Sequence, residues 1–424
     1  MLKPIVALTA VSVLTLTALA QTPSVPLAYT QGQDLIIEAG TNRITVPVAQ
    51  DYPYDNNPTM DLEWSPDGRW LAYIQLSEVA MPEGYTTSRA DLFAISVEGG
   101  TPITIAEGIS AGFPVAWTQD GALLYAQDDP ASLNATSPGD WLVNLYRAEV
   151  LERVAPVQLG QTPFIVGCGG GMSFPDDVRY LQEAGFGGSP VKLMESAVGI
   201  ILSVNCAGQG VQRLSDGVLL DEGLARWSLS ADGTQVVGVR LNYTDTALET
   251  RLQVLDLTTG DLRDIATQAM PDQVYWAADG TIYYSSREAS AELFSPEQSA
   301  TILQTQGLMA DPAFTTALSA FTVRLHRLDV TTGAETEVFS VADASWIGRI
   351  RGNQDSLYLS VIDSLRLFGE AALAGQITLE NSYTEGMNLV GVEVYRFELA
   401  TGETTLINPD FSMSQVEVAP SLMP

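Results

Sequence analysis

Lysine is almost missing from this chain. Its 424 residues include two lysines, Lys3 and Lys192, one histidine, His326, and two cysteines, Cys168 and Cys206. A single histidine excludes a His-rich metal site. The cysteines form no Cys-x-x-Cys, which argues against a zinc-binding pair. Basic residues number 20 against 51 acidic ones, for a net charge of −31. A surface of that sign repels nucleic acid and anionic membrane and favours solubility. After the first twenty residues no run is long and apolar enough to span a bilayer.

Those twenty residues read as a leader. Lys3 supplies a positive start, a mostly apolar run follows from Ile5 to Leu19, and Ala18-Leu19-Ala20 is a small-x-small cleavage pattern. Cleavage before Gln21 is expected, with export to the periplasm or the medium. Residues 21–424 then form the folded part, expected to be one monomeric domain. The 46% hydrophobic content excludes a disordered chain. In an exported chain two cysteines are the number for one disulfide. A Cys168–Cys206 bridge would close about 39 residues and stabilise by roughly 4 kcal/mol in the chain-entropy model. Two buried free thiols are the alternative.

What the sequence does have is a repeat. Trp64-Ser65-Pro66-Asp67-Gly68-Arg69-Trp70-Leu71-Ala72-Tyr73 reads as strand, tight turn, strand. Pro suits the second turn position, Asp tolerates the bridge conformation, and Gly supplies the positive φ that closes a hairpin. The device recurs at Asp120-Gly121, Asp232-Gly233 and Asp279-Gly280, with weaker copies at Asp176-Asp177 and Asn353. The steps between copies are 53, 56, 56, 47 and 74 residues. A second device, as in Leu255-Asp256-Leu257-Thr258-Thr259-Gly260, recurs at Leu328–Gly333, Phe397–Gly402 and Ile95–Gly100. Two hairpins per period near 50 predict four-stranded propeller blades. No amphipathic helical stretch separates the strands, so a βαβ fold is excluded. Six turn copies give six blades. Three short strands at Leu27–Thr30, Asp34–Glu38 and Arg43–Val46, with a fourth from Phe411–Pro420, predict a seventh that closes the ring with both chain ends. A six-bladed ring with the N-terminal strands as a strap is the alternative.

The run Trp64–Tyr73 closely resembles the repeat of TolB-type propellers, whose hallmark is a Pro-Asp-Gly turn between inner strands. The Asp-Leu-x-Thr-Gly pieces match that family's outer hairpins, and the resemblance spans residues 60 to 410. It implies an all-β propeller and export. It also implies a role as a protein-interaction platform or as the non-catalytic domain of a larger peptidase. No catalytic residue carries over from it.

Chemistry is harder to find. A serine peptidase needs a histidine base, and His326 sits inside a predicted strand, Val323–Val330. The pairs Asp128-Asp129 and Asp176-Asp177 lack the alternating carboxylates of a calcium loop. Gly167-Cys168-Gly169-Gly170-Gly171 lacks the Lys and Ser/Thr of a phosphate loop. The adjacent Asp67 and Gly68 are not the sialidase Asp box, which separates them. No cofactor or metal is expected. One asymmetry points to function. Long insertions are expected between the second and third strands, at Ser77–Ala90, Asp128–Trp141, Gln182–Ser196, Leu241–Thr250, Arg287–Ala320 and Asp363–Gly391. Equivalent connections emerge on one face. They carry Tyr85, Trp141, Phe186, Tyr243, Phe294, Phe368 and Tyr383, aromatics of the kind that anchors partners. The expectation is a non-enzymatic propeller binding a protein, peptide or glycan there. A carboxylate-based hydrolase or lyase acting at the channel or upper face is the alternative.

Overall fold

The computed structural model describes residues 26–31, 34–47, 59–80, 86–110, 113–132, 142–150, 154–163, 193–204, 210–215, 218–243, 248–306, 317–353, 355–380, 391–407 and 414–419. The expected leader, Cys168 and Cys206 lie outside the described residues, and so do Tyr85, Trp141, Phe186 and Tyr383.

Seven four-stranded antiparallel sheets form the molecule. Blade 1 contains β1 (Leu27–Gln31), β2 (Asp34–Ala39) and β3 (Asn42–Pro47). Blade 2 contains β4 (Thr59–Trp64), β5 (Trp70–Ala80), β6 (Thr86–Ser96) and β7 (Ile103–Ile109). Blade 3 has β8 (Ala116–Trp117), β9 (Ala122–Asp128), β10 (Leu142–Glu149) and β11 (Val157–Pro163). Blade 4 has β12 (Leu193–Ser196), β13 (Gly199–Val204), β14 (Gly210–Arg213) and β15 (Leu219–Glu222). Blade 5 has β16 (Leu224–Leu229), β17 (Gln235–Tyr243), β18 (Leu248–Asp256) and β19 (Leu262–Ile265). Blade 6 holds β20 (Val274–Trp276), β21 (Ile282–Phe294), β22 (Leu318–Leu328) and β23 (Glu335–Ala344), with helix α1 (Pro296–Thr305) between β21 and β22. Blade 7 holds β24 (Trp346–Gly352), β25 (Ser356–Asp363), β26 (Gly391–Glu398) and β27 (Thr404–Leu406), with helix α2 (Ser364–Leu373) between β25 and β26. The last strand, β28 (Ser414–Val418), pairs antiparallel with β1 and completes blade 1.

The ring is therefore closed by both ends of the chain. Ala419 donates its N–H to the Pro26 carbonyl at 2.9 Å beside that seam. First strands of successive blades touch in order around the ring, from β28 to β4 to β8 to β12, and from β16 to β20 to β24 and back to β28. Between blades 4 and 5 the contact runs through β14 and β16.

Blade stacking explains the apolar runs. In β5, Leu71 and Tyr73 join a core cluster with blade 1, whereas Ala72, Ile74 and Leu76 join another with blade 3. Period-two alternation sends successive side chains to opposite faces, and both faces are covered. The inner turns are built as their sequence predicts. The Ser65 hydroxyl donates to Asp67 Oδ1 at 2.6 Å, and that oxygen accepts the Arg69 N–H at 3.1 Å. Thr118–Asp120 and Ser230–Asp232 repeat the contact at 2.5 and 2.7 Å.

Three expectations need correction. Ten-residue helices α1 and α2 do separate strands, as insertions between antiparallel neighbours rather than as βαβ crossovers. The Pro175-Asp176-Asp177 stretch does not join the first two strands of blade 4. That turn is Ala197-Val198, between β12 and β13, and the segment containing Asp176 precedes the blade. Pro175-Asp176-Asp177 lies outside the described residues, and the apolar pairs that make the first two strands are Leu193↔Leu202 and Met194↔Ile201. Gln182–Ser196 is accordingly not a second-to-third-strand connection. Ser77–Ala90 and Leu241–Thr250 are mostly paired strand, with registers Ser77↔Arg89 to Ala80↔Thr86 and Leu241↔Thr250 to Tyr243↔Leu248, so only residues 81–85 join β5 to β6 and only 244–247 join β17 to β18.

Candidate functional site

Antiparallel alternation divides the ring into two faces. Turns joining strands 1–2 and 3–4 of each blade lie on one, the turn face. Connections joining strands 2–3, and those leading to the next blade, lie on the other, the loop face. The turn face is closed by short hairpins. The loop face carries the hairpin arms of β5–β6 and β21–β22 and both helices.

The helices come from neighbouring blades and pack on each other. Ser295 caps α1 in a reciprocal arrangement, its own N–H donating to Gln298 Oε1 at 2.9 Å, and Pro296 occupies the first turn. Phe294, Ile302, Ala371, Ala372 and Ile377 form a small core under the pair, with Phe368 against it. Gly369 permits the approach, because a Cβ there would lie 2.4 Å from two ring carbons of Phe294. Phe294 and Phe368 thus meet in the packing that holds the helices down. Tyr243 ends β17 on the same face. Leu373 and Leu379 are exposed beside this platform.

Charged groups from different blades meet along the inner strands. At the turn-face end Arg349 Nη1 contacts Glu417 Oε1 at 2.6 Å, and Arg351 Nε contacts Glu417 Oε2 at 2.9 Å. Glu417, helped by Glu63, holds the Arg351 guanidinium above its ordinary pKa against the opposing effect of burial. At the loop-face end Arg226 bridges to blade 6. Its Nη1 donates to the Asp272 backbone carbonyl at 2.9 Å and also to Asp272 Oδ1. Arg226 has a φ of +48°, in a β16 irregularity between Ala225 and Ser228. A non-glycine residue there is strained, and such strain is retained where surrounding contacts fix it. Arg287 approaches the other Asp272 oxygen at 3.9 Å and lies over the Phe321 ring, 5.3 Å from its centroid.

Behind β21 lies a buried polar chain. The Ser286 hydroxyl and His326 Nε2 are 2.8 Å apart, and His326 Nδ1 is 3.3 Å from Glu335 Oε1. The Tyr284 hydroxyl donates to the same oxygen at 2.5 Å, and the Gln268 N–H donates to Glu335 Oε2 at 2.9 Å. His326 stacks on Tyr284 with ring centroids 4.7 Å apart. Burial pushes the His326 pKa down, against the opposing pull of Glu335, and pushes the Tyr284 phenol up. These are the distances of a serine–histidine–carboxylate relay, but Ser286 is 5% exposed and lies within a paired strand. The arrangement ties β21, β22 and β23 of blade 6 together and to the Gln268 backbone. The Gly108-Ile109-Ser110-Ala111-Gly112 stretch has the nucleophile-elbow pattern, yet it leads into strand β8 rather than a helix, and Ser110 is buried. Among the described residues no group of three metal-ligating side chains converges.

Sequence reasoning placed His326 in a strand and missed its partners, along with the inner-strand arginines. The only available signal was cationic residues at alternate positions, Arg349 and Arg351, in a chain short of cations.

No family model and no curated relative matches this chain. Solved structures are similar to it. TolB from Acinetobacter baumannii is 15% identical over 74% of this chain, with a TM-score of 0.35. An acylaminoacyl peptidase from Pyrococcus horikoshii is 12% identical over 88% of this chain, with a TM-score of 0.49. The β-propeller domain of the Trilobed protease from Pyrococcus furiosus is 11% identical over 90% of this chain and 97% of its own length, with a TM-score of 0.47. The chain spans 63% of that TolB and 47% of that peptidase. The likeness is one of fold alone, and by its own seven four-stranded sheets the chain is a seven-bladed β-propeller.

Proposed function

We propose that this protein is an exported, non-catalytic propeller that binds a protein, peptide or glycan on its loop face, around the mouth of the central channel. One observation carries the reading. Both helices and both long hairpin arms rise from the loop face, whereas the turn face is built of short hairpins closed by Asp–Ser and Asp–Thr contacts. Insertions in phase build one composite surface, which is how repeat folds acquire binding faces. The channel mouth adds charged groups that converge from two blades, Arg226, Asp272 and Arg287. Among the described residues no helix is long and apolar enough to cross a membrane.

Partner capture tests the proposal. In one variant a short turn replaces residues 295–317 and another replaces 364–390. A second variant carries altered turn-face hairpins. Partners recovered by the native protein should be lost with the first variant and retained with the second. The opposite pattern overturns the proposal.

A further inference from the structure

The geometry points to a binding site for a sugar ring in a cleft on the turn face, between blades 6 and 7. The site lies on the opposite face from the proposed partner surface and stands independently of that reading.

The cleft has a volume of about 280 Å³ and is lined by Ala277, Ala278, Asp279, Asn353 and Leu399. Ala277–Asp279 belong to the turn between β20 and β21, Asn353 follows β24, and Leu399 follows β26. What sets this junction apart is what its turns leave unpaired. In blades 2, 3 and 5 the turn aspartate accepts a hydroxyl from two residues before it, Ser65, Thr118 or Ser230. Blade 6 has Ala277 at that position. Asp279 Oδ1 accepts the Thr281 N–H at 2.9 Å. Among the described residues, its other oxygen receives no donor and no cation pairs with it.

Blade 7 carries Asn353 at the corresponding turn position. Its Oδ1 accepts the N–H groups of Asp355 at 2.8 Å and Ser356 at 3.0 Å. Those two bonds fix which way the amide faces. The Asn353 Nδ2 has no hydrogen-bond partner, although the residue is only 7% exposed. Buried polar groups are paired in folded proteins as a rule, so an unpaired one calls for an explanation. Here the unpaired donor belongs to a residue that lines the same cleft as a carboxylate with a vacant oxygen.

The ligand must accept from Asn353 and donate to Asp279. Asp279 disfavours an anion, and one carboxylate beside an N–H donor does not make a metal site. A trans peptide unit points its C=O and N–H to opposite sides, so one backbone amide cannot meet both groups. A hydroxyl both donates and accepts, so two neighbouring hydroxyls of a sugar satisfy the pair. The size suits one ring, since at about 30 Å³ per water the cleft holds the volume of roughly nine waters. Ala277, Ala278 and Leu399 offer apolar contact to the ring's C–H edge.

The test uses the purified protein and saturation-transfer NMR titrations. The probes are the methyl α-glycosides of glucose, galactose and mannose, with acetamide as the carboxamide rival. At least one glycoside should bind the native chain, and more tightly than acetamide. Asn353→Asp keeps the acceptor that the Asp355 and Ser356 N–H groups need and removes only the donor. Ala277→Ser gives Asp279 the hydroxyl partner that blades 2, 3 and 5 have. Each should weaken the glycoside at least fivefold, the loss expected for one hydrogen bond. Ser230→Ala, which leaves a turn aspartate without its hydroxyl in blade 5, should leave binding unchanged. If one cleft variant fails to fold, the other carries the test. No binding of any glycoside, acetamide binding as tightly as the glycosides, or binding that survives Asn353→Asp or Ala277→Ser overturns the inference. None of those results touches the loop-face proposal, which stands or falls on the trimmed variant.

Discussion

Glu417 is the single side chain on which ring closure most depends. It sits on β28, the strand that returns from the C-terminus to complete blade 1. Its carboxylate is 5% exposed and receives both Arg349 and Arg351 from blade 7. Replacing it with alanine leaves two guanidiniums facing each other without their shared anion. Breaking a buried pair by removing one partner costs about 3–5 kcal/mol. Here the arginines keep 33% and 31% of their side-chain area accessible, so water recovers part of the loss. The expected cost of Glu417→Ala is about 2–3 kcal/mol. Glu417→Gln retains an acceptor oxygen and should cost about 1–2 kcal/mol. Arg349→Met leaves Glu417 paired with Arg351 and should cost about 1 kcal/mol, and the double variant should not be additive. Denaturant unfolding gives the global values. Hydrogen exchange gives the location, since the amides of residues 414–419 and 27–31 should lose protection before those of blades 3 to 6. A change below about 0.5 kcal/mol for Glu417→Ala, with unaltered exchange at β28, would refute the reasoning.

Three further outcomes follow from packing and protonation. Gly369→Ala gains about 1 kcal/mol of helix propensity but drives a methyl into the Phe294 ring, so a net loss of about 1–2 kcal/mol is expected, read as faster exchange in α1 and α2. Gly233→Ala meets both a φ of +71° and the Ala197 backbone nitrogen at 3.1 Å, whereas Gly260→Ala meets only a φ of +78°; denaturant melts should show the first about 1 kcal/mol worse than the second. His326 has a folded pKa below its unfolded value, so the unfolded chain takes up its proton first as pH falls. Stability should be full above about pH 7 and decline toward pH 5.5, and His326→Gln should flatten that slope; an unchanged slope would contradict the burial argument.

The fold was legible because its signals are local. A Ser/Thr-x-Asp-Gly turn fixes its own hairpin through contacts two residues apart, as Ser65–Asp67 and Ser230–Asp232 do. Three N-terminal strands without a fourth implied closure by the other chain end, and β28 supplies it. Turn chemistry at Pro175-Asp176 points to the wrong place for blade 4, whose first strands are set by apolar pairs such as Leu193↔Leu202. The second-to-third-strand hairpin of blade 2 read as loop because Ser77, Glu78 and Arg89 are polar, although backbone pairing continues through them. The channel groups were not legible at all. Arg226 meets Asp272 across 46 residues, and Arg349 meets Glu417 across 68, so only the closed ring brings them together. The aromatic inventory carried no information on exposure, which is why Phe294 could be singled out from sequence and then be found buried between helices.

The central claim is that the loop face is the working surface, and hydrogen exchange on a complex with a captured partner tests it most directly. The account predicts new protection in the hairpin arms of β5–β6 and β21–β22 and in both helices, with unchanged exchange at the Asp67, Asp120 and Asp232 turns. Protection confined to those turns, with arms and helices unchanged, would contradict it.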